Sequence, residues 1–375
     1  MAPPRGRSGI LTPGGPSIWQ DEVKMMEQSI VTLRDVARAA DVHPGTASRA
    51  LNSSTRSQVK TETAERVLRA AAELGYRVNP IARSLRTSRS HIVGVLLPDL
   101  TNPFYPPVVR GIEDELSAGS YVALVANTDS DPAKERRVLE SLRERQVDGL
   151  IVMTAKRKHP LLVEVAEAGT PMVLVSRDVD GLNVSGVMLD DEEAMRQAVV
   201  ALHDLGHRHL AHVAGPRTVS TAVRRRQGFL RATKRPDLST ALVESAQFSI
   251  EAGHAAALQL LDRHPEVTGI VAANDLIALG CISALAERGR SCPRDVSVIG
   301  VNDSPFLEHT APPLSTVSVP KYEMGRSAAQ LLLSQLQTGG ERRPAAEVRR
   351  LQPELRLRGS TGPLSRGARR QPRAR

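Results

Sequence analysis

From residue 91 onward, short apolar runs alternate with amphipathic stretches, and few folds accept that pattern. The runs IVGVLLP, YVALVAN, GLIVM, PMVLVS, LAHVAG, TGIVAAN and VSVIGV are short and β-rich. Between them, VVRGIEDELSAG, KERRVLESLRERQ and EAMRQAVVALHDLG place apolar residues at helical spacing. Strand and helix alternating in this way predict parallel sheets built from βαβ units. The strands outnumber one compact sheet, so two α/β lobes with a cleft between them are expected. Aromatic residues are only 2% of the chain, so its core must be built mostly from Ala, Val and Leu. A ligand site in the cleft must then make do with a handful of rings.

The N-terminal portion has a different texture. Residues 1–29 are rich in Pro, Gly and Ser without apolar periodicity and read as a disordered extension. Met25 and Met26 sit just before the first periodic segment and offer an alternative start. Leu33, Val36, Ala37 and Ala40 then fall at helical spacing, with Thr32 as N-cap and Asp35 three residues on. Pro44 opens a second predicted helix whose inner face is Ala47, Ala50 and Leu51. A third, TAERVLRAAAELG, turns Val67, Leu68, Ala71 and Leu74 inward and stops at Gly75. Three short helices, the first two about four residues apart, make a helix-turn-helix unit.

Charge is segregated along the chain. The formal net charge is +9, of which residues 1–90 hold +6 and residues 356–375 hold +7, leaving the remainder at −4. A basic head on a mildly acidic body suits a module that binds a polyanion, attached to a sensor. Cys281 and Cys292 are too few for a disulfide framework or a four-ligand zinc site. No stretch approaches a membrane span, and the N-terminus lacks the apolar segment of a secretion signal. The expected location is therefore cytoplasmic, on the nucleoid. His203, His207, His209 and His212 lie close in sequence but span a helix end, a turn and a strand, without Cys or clustered carboxylates to complete a metal site. They are read as structural, and no metal or cofactor is expected. No dinucleotide, P-loop or serine-hydrolase motif is found. The run Arg224–Arg226 can be a solvated patch from which one member enters the cleft.

VTLRDVARAADVHPGTASRALN (31–52) and the following ERVLRAAAELGYRVNPIARSLRT resemble the headpiece, third helix and hinge of the LacI/GalR (lactose-repressor-like) family. The similarity continues to about residue 359. It implies an all-α headpiece with a hinge helix, followed by a two-lobed α/β effector domain like the periplasmic binding proteins. The implied layout is a helix-turn-helix domain at 30–78 and a hinge at 79–90. An effector-binding and dimerisation body at 91–359 follows, with crossovers near 189, 318 and 343, and then a basic disordered tail at 360–375. The second helix would enter the major groove, with Pro44, Gly45 and Arg49 as specificity residues and Thr46 and Ser48 near phosphates or bases. Thr32, Asn52 and Asn79 complete the expected DNA contacts of the headpiece. Arg49 can read a guanine edge bidentately or hold a phosphate. His43 departs from the Ser or Thr usual at its cap position, and Gly45 offers no side chain to a base. In the hinge, Leu85 matches the family's minor-groove wedge, with Ala82 on the same face and Arg83 and Arg86 for phosphates. Two hinges must meet in one groove, so the resemblance implies a homodimer on a pseudo-palindromic operator. The sequence after residue 345 has no apolar heptads that would zip dimers into tetramers.

Effector contacts in this family come from both lips of the cleft. The matching residues are Asn102, Phe104 and Tyr105 after the first strand, Arg177, Arg225, Phe248, the pair Asn274–Asp275 and the pair Asn302–Asp303. Planar polar groups with a few rings suit a polyhydroxylated ligand such as a sugar. Asp275 and Asp303 could equally cap the helices that follow, and Asn302 stands where the family more often has Asp. The expected function is a DNA-binding repressor controlled by a small-molecule effector, with no enzymatic role. The body alone would also allow a sugar-binding transport receptor, which the basic headpiece and missing secretion signal oppose. A small-molecule enzyme on the α/β scaffold is a third class, for which no nucleophile, base pair or metal set is present.

Overall fold

The computed structural model describes residues 31–52, 55–76, 89–337 and 345–364. The chain divides into two compact units, residues 1–87 and 88–375. Within the first, α1 (Leu33–Ala39), α2 (Pro44–Leu51) and α3 (Thr61–Glu73) enclose a core of Val36, Val67 and seven alanines. At the start of α1 the Thr32 N–H and hydroxyl both donate to the Asp35 carboxylate, at 3.0 and 2.7 Å. Those bonds hold Asp35 below the usual carboxylate range. The cap of α2 is His43, whose Nδ1 accepts the Gly45 N–H at 3.1 Å. The imidazole thus supplies the acceptor that a Ser or Thr hydroxyl supplies at other helix starts. Gly75 follows α3 at φ +66°, the left-handed residue that ends many helices. Leu74, expected inward, is 38% exposed, because Ala70 and Ala71 already close the packed face at the end of α3. The hinge residues Asn79, Ala82, Arg83, Leu85 and Arg86, the extension 1–29 and residues 365–375 lie outside the described residues.

The second unit carries two sheets. The first joins β1 (Ile92–Leu97), β2 (Val122–Asn127), β3 (Gly149–Val152), β4 (Met172–Val175), β5 (Ser185–Leu189) and β11 (Val348–Leu351). Its order is β11-β5-β4-β3-β1-β2 and every pairing is parallel. The second sheet holds β6 (His209–Ala214), β7 (Ser239–Glu244), β8 (Gly269–Ala272), β9 (Ser297–Asn302), β10 (Ser315–Ser318) and β12 (Glu354–Arg356). Its order is β12-β10-β9-β8-β6-β7, parallel except for β12, which runs antiparallel on β10. Helices α4 (Tyr105–Ala118), α5 (Pro132–Glu144) and α6 (Pro160–Glu167) belong to the first lobe. Helices α7 (Asp191–Asp204), α8 (Ser220–Ala232), α9 (Ile250–Arg263) and α10 (Asp275–Glu287) belong to the second.

The chain crosses between lobes after β5 and again after β10, where α11 (Lys321–Gln337) returns to pack on α4 and on the first sheet. Their approach is close enough that a Cβ on Gly325 would lie 1.9 Å from the Val108 carbonyl oxygen, so Gly is required there. The third crossing is not near residue 343 but at Gln352–Pro353. Val348–Leu351 pairs in parallel with β5 and keeps the chain in the first lobe until then. The body also runs past residue 359. Ser360 is fully buried, its hydroxyl donating to Val298 O at 2.6 Å and accepting from Ser315 N at 2.8 Å, and Leu364 N reaches Leu205 O. Residues 360–364 are therefore part of the second lobe and not of a disordered tail. Among the described residues no helix is long and apolar enough to cross a membrane.

Candidate functional site

The exposed face of α2 carries the residues expected to meet DNA. Gly45 and Arg49 are exposed, while Pro44, Thr46, Ser48 and Asn52 are half-buried around the Ala47 and Ala50 core face. Among the described residues the Arg49 guanidinium makes no ion pair; only its carbonyl is used, accepting the Thr55 hydroxyl at 3.1 Å. A long cation held by nothing of its own on an exposed helix face is available to a phosphate or a base edge.

The second site lies between the lobes, beyond the carboxyl ends of the strands, where parallel sheets present ligands to loops and helix starts. It is a cavity of about 350 Å³ open to the cleft mouth, lined by Asn102, Phe104, Tyr105, Ser176, Arg177, Thr221, Arg225, Phe248, Asn274 and Asn302. The first lobe supplies the residues after β1 and β4. Phe104 and Tyr105 meet edge to face at 5.1 Å, and the Arg177 guanidinium donates to the Tyr105 hydroxyl at 3.2 Å. Burial raises the Tyr105 pKa, so that phenol stays a neutral hydrogen-bonding group. From the second lobe the Phe248 ring faces the same guanidinium at 5.8 Å, a cation–π contact spanning the cleft.

Arg225 is almost fully buried. Its Nε meets the Asp191 carboxylate at 2.8 Å and one terminal nitrogen donates to the Ala273 carbonyl. These bonds fix the plane of the fork and use two of its five N–H groups, leaving the others for a ligand. Asn274 caps α10 by accepting Ile277 N–H at 2.9 Å. Asn302 ends β9 at φ +124° and Asp303 follows at φ +58°. Two consecutive non-glycine residues at positive φ are strained backbone of the kind that gathers at ligand sites. The strain is held by the buried Lys321 ammonium, which donates to the carbonyls of both residues, at 2.8 Å to Asp303.

Two expected ligand residues are withdrawn from the cavity. The Asp275 carboxylate is buried and accepts the Thr316 hydroxyl at 2.6 Å and the Ser304 N–H and hydroxyl at 3.0 and 3.1 Å. Burial lifts its pKa to about 6. Asp303 is paired with Arg356 and Arg358, both at 2.8 Å. Neither acts as a helix cap: Asn274 fills that role for α10, and Asp303 is an ion-pair anchor for the β12 edge. Two lining residues escaped the sequence reading. Ser176 immediately precedes Arg177 in the same post-strand loop, and Thr221 lies four residues before Arg225, hence on the same helical face.

Arg224–Arg226 is not a solvated patch. Arg224 forks between Asp191 (3.0 Å), Asp178 (2.6 Å) and the Ser176 carbonyl (3.1 Å), and Arg226 Nε is buried. Nearby, Asp178 N–H donates to Ser220 Oγ at 2.9 Å and Thr221 Oγ1 to Ser176 O at 2.8 Å, so the loop after β4 is tied to the first turn of α8 across the cleft. The histidines lie apart from this site. His203 pairs with Asp237 at 2.7 Å, His207 meets the Gly362 carbonyl, and His212 stacks on Phe229 and donates to Val271 O.

The chain was compared with known proteins. Residues 32–79 match the family described as bacterial regulatory proteins, lacI family, and residues 199–361 match a periplasmic binding protein-like domain. The ribose operon repressor of Bacillus subtilis is 34% identical over 319 residues, covering 85% of this chain and 94% of that protein. A solved Lac repressor dimer, bound to operator and the anti-inducer ONPF, is similar at a TM-score of 0.75 and 26% identity, over 88% of this chain and 99% of that one. A LacI family transcriptional regulator from Enterococcus faecium with bound ribose is similar at a TM-score of 0.63 and 32% identity, over 73% of this chain and all of that one.

Proposed function

The chain belongs to the lacI family of bacterial regulatory proteins, and on that footing we propose that it represses transcription as a homodimer on operator DNA, under the control of a small carbohydrate held in the cleft. One observation carries the reading. The same chain presents Arg49, exposed and without an ion pair among the described residues, on the second helix of a helix-turn-helix, and a ring-and-amide cavity lined from both lobes of its body. The cavity residues match the ligand: amides and guanidiniums bond to vicinal hydroxyls in pairs, and Phe104 and Phe248 offer faces to a sugar's C–H surface. Among the described residues the lining is made of amides, guanidiniums, hydroxyls and rings, a set that suits holding a polyhydroxylated ligand. The protein then works on the nucleoid, in the cytoplasm.

Control follows from differential binding. A ligand bonded to residues of both lips favours the closed arrangement of the lobes by the difference in its affinity for the two states. In a dimer that difference sets whether two hinge segments can sit together in one minor groove. Operator affinity of the full chain on its own promoter region, measured by fluorescence anisotropy with and without a panel of pentoses and hexoses, tests this. Salt-sensitive, sequence-specific binding that shifts with one ligand is the expected result. A dimeric preparation that binds no DNA at low salt would end the proposal.

A further inference from the structure

The cleft cavity is lined by two guanidiniums, Arg177 and Arg225, and by no carboxylate. The two cations are not equivalent. Arg225 is neutralised by Asp191, at 2.8 Å. Arg177 has no carboxylate within 4 Å among the described residues; its contacts are the Tyr105 hydroxyl and the Phe248 face. The acids that might have balanced it are committed elsewhere: Asp178 to Arg224, Asp303 to Arg356 and Arg358, and Asp275 to Ser304 and Thr316. Three helix starts reach the same space. Tyr105 opens α4, Thr221 lies in the first turn of α8 and Asn274 caps α10, and each N-terminus adds a partial positive charge.

An anion entering the cleft would meet in Arg177 a guanidinium that no carboxylate already neutralises, and would draw charge-assisted hydrogen bonds from it. We infer that the effector is an anionic carbohydrate, a sugar phosphate or a sugar acid, with its charged group on Arg177 and its ring hydroxyls on Arg225 and the three amides Asn102, Asn274 and Asn302. This deepens the carbohydrate-controlled reading and rests on it. The planar fork of Arg177 offers two parallel N–H groups to a phosphate or carboxylate. The Phe248 ring, 5.8 Å from the guanidinium carbon, adds a cation–π contact and leaves to the ligand the N–H groups that Tyr105 does not use. The amides both donate and accept, as hydroxyls require.

Calorimetric titration of the full chain with matched sets tests the assignment: ribose and ribose 5-phosphate, then glucose, glucose 6-phosphate and gluconate, with inorganic phosphate alone as a further arm. The charged member of at least one set binds tenfold or more tighter than its neutral parent. Added salt narrows the gap, and Arg177→Gln brings the pair within threefold of each other. Whether glucose 6-phosphate or gluconate binds tighter identifies the anion. The inference falls if the neutral sugars bind as well as their charged derivatives, if no charged member binds, or if the preference survives Arg177→Gln. Inorganic phosphate binding as tightly as the sugar phosphates overturns it too, because the sugar would then contribute nothing. Operator affinity of the same preparation without ligand separates the two readings. Intact operator binding with no anionic preference removes only the ligand class, whereas absent operator binding removes the regulator.

Discussion

Gly215, at the end of the β6 loop, leaves no room for a methyl group. A Cβ there would stand 2.5 Å from Phe248 Cζ and 3.2 Å from the Ala222 Cβ. Its backbone is ordinary, so the restriction comes from these neighbours, the ring above all. Gly215→Ala is expected to push Phe248 off the Arg177 guanidinium and weaken effector binding about tenfold, a cost of ~1.4 kcal/mol. Operator affinity without effector stays unchanged. Calorimetry and anisotropy on the same variant check both halves, and equal effector affinity would mean that Phe248 does not shape the site. At this scale the cavity was partly legible from the chain. Asn102, Phe104, Tyr105, Arg177, Arg225, Phe248, Asn274 and Asn302 are brought together where a strand-end rule and family positions put them. Asp275 and Asp303 differ because a carboxylate's role depends on its partners. Those partners, Thr316, Arg356 and Arg358, lie 41 to 55 residues away in sequence.

Between elements, the contact that matters most is Arg224. It joins α8 in the second lobe to Asp178 in the first, while sharing the buried Asp191 carboxylate with the cavity residue Arg225. Its side chain is 18% exposed, so the pairs are partly shielded from water and stronger than surface pairs. Arg224→Met keeps the length of the stem but removes both cross-cleft bonds. Effector affinity should fall about tenfold through a smaller closed population, and small-angle scattering of the ligand-free protein should shift toward a larger radius. An unchanged scattering curve would show that the lobes do not depend on this tie. The hinge segment is argued from sequence alone. With Leu85 as the proposed wedge, Leu85→Ala should weaken specific operator binding by at least tenfold and leave non-specific binding nearly unchanged. Equal losses on both DNAs would argue against a wedge. Strands β5, β7, β10, β11 and β12 carried no clear signal, since SGVML, STALVE, STVS, VRRL and ELR lack the long apolar runs by which the other strands were found.

For the molecule as a whole, two buried groups oppose each other in acid. His212 is fully buried on Phe229 with Nε2 unpartnered, and burial pushes its pKa down to about 4 from 6.5. Its contribution to stability is present above pH 6.5 and is lost as the pH falls toward 4, because only the unfolded chain takes up the proton in that window. Asp275, lifted to about 6 from 3.8, acts in the reverse sense. The folded state takes up that proton first, so stability is gained as the pH falls through 6 toward 3.8. His212→Asn should therefore flatten the decline of melting temperature between pH 7 and 5, and Asp275→Asn should steepen it. The readout is the slope, which is insensitive to any packing cost of the substitutions. Slopes parallel to the unsubstituted protein would rule out this pair as the source of its pH dependence.

The chain's own periodicity determined the class of each part: three helices from short-range apolar spacing at 33–74, and parallel α/β lobes from the alternation after residue 91. Capping, too, was local enough to read, as with Thr32 and Asp35. Only the tertiary structure decided where the third crossing falls, that Ser360 is buried, and that Arg224 ties the two lobes while Arg225 walls the cavity. The physical reason is the range of the forces involved. Helical and strand periodicity is set by neighbours a few residues apart, whereas the fate of a charge is set by whichever partner the fold delivers. At Arg177 the fold delivers a hydroxyl and a ring but, among the described residues, no carboxylate, and that lack of a counter-ion is what points to a charged ligand.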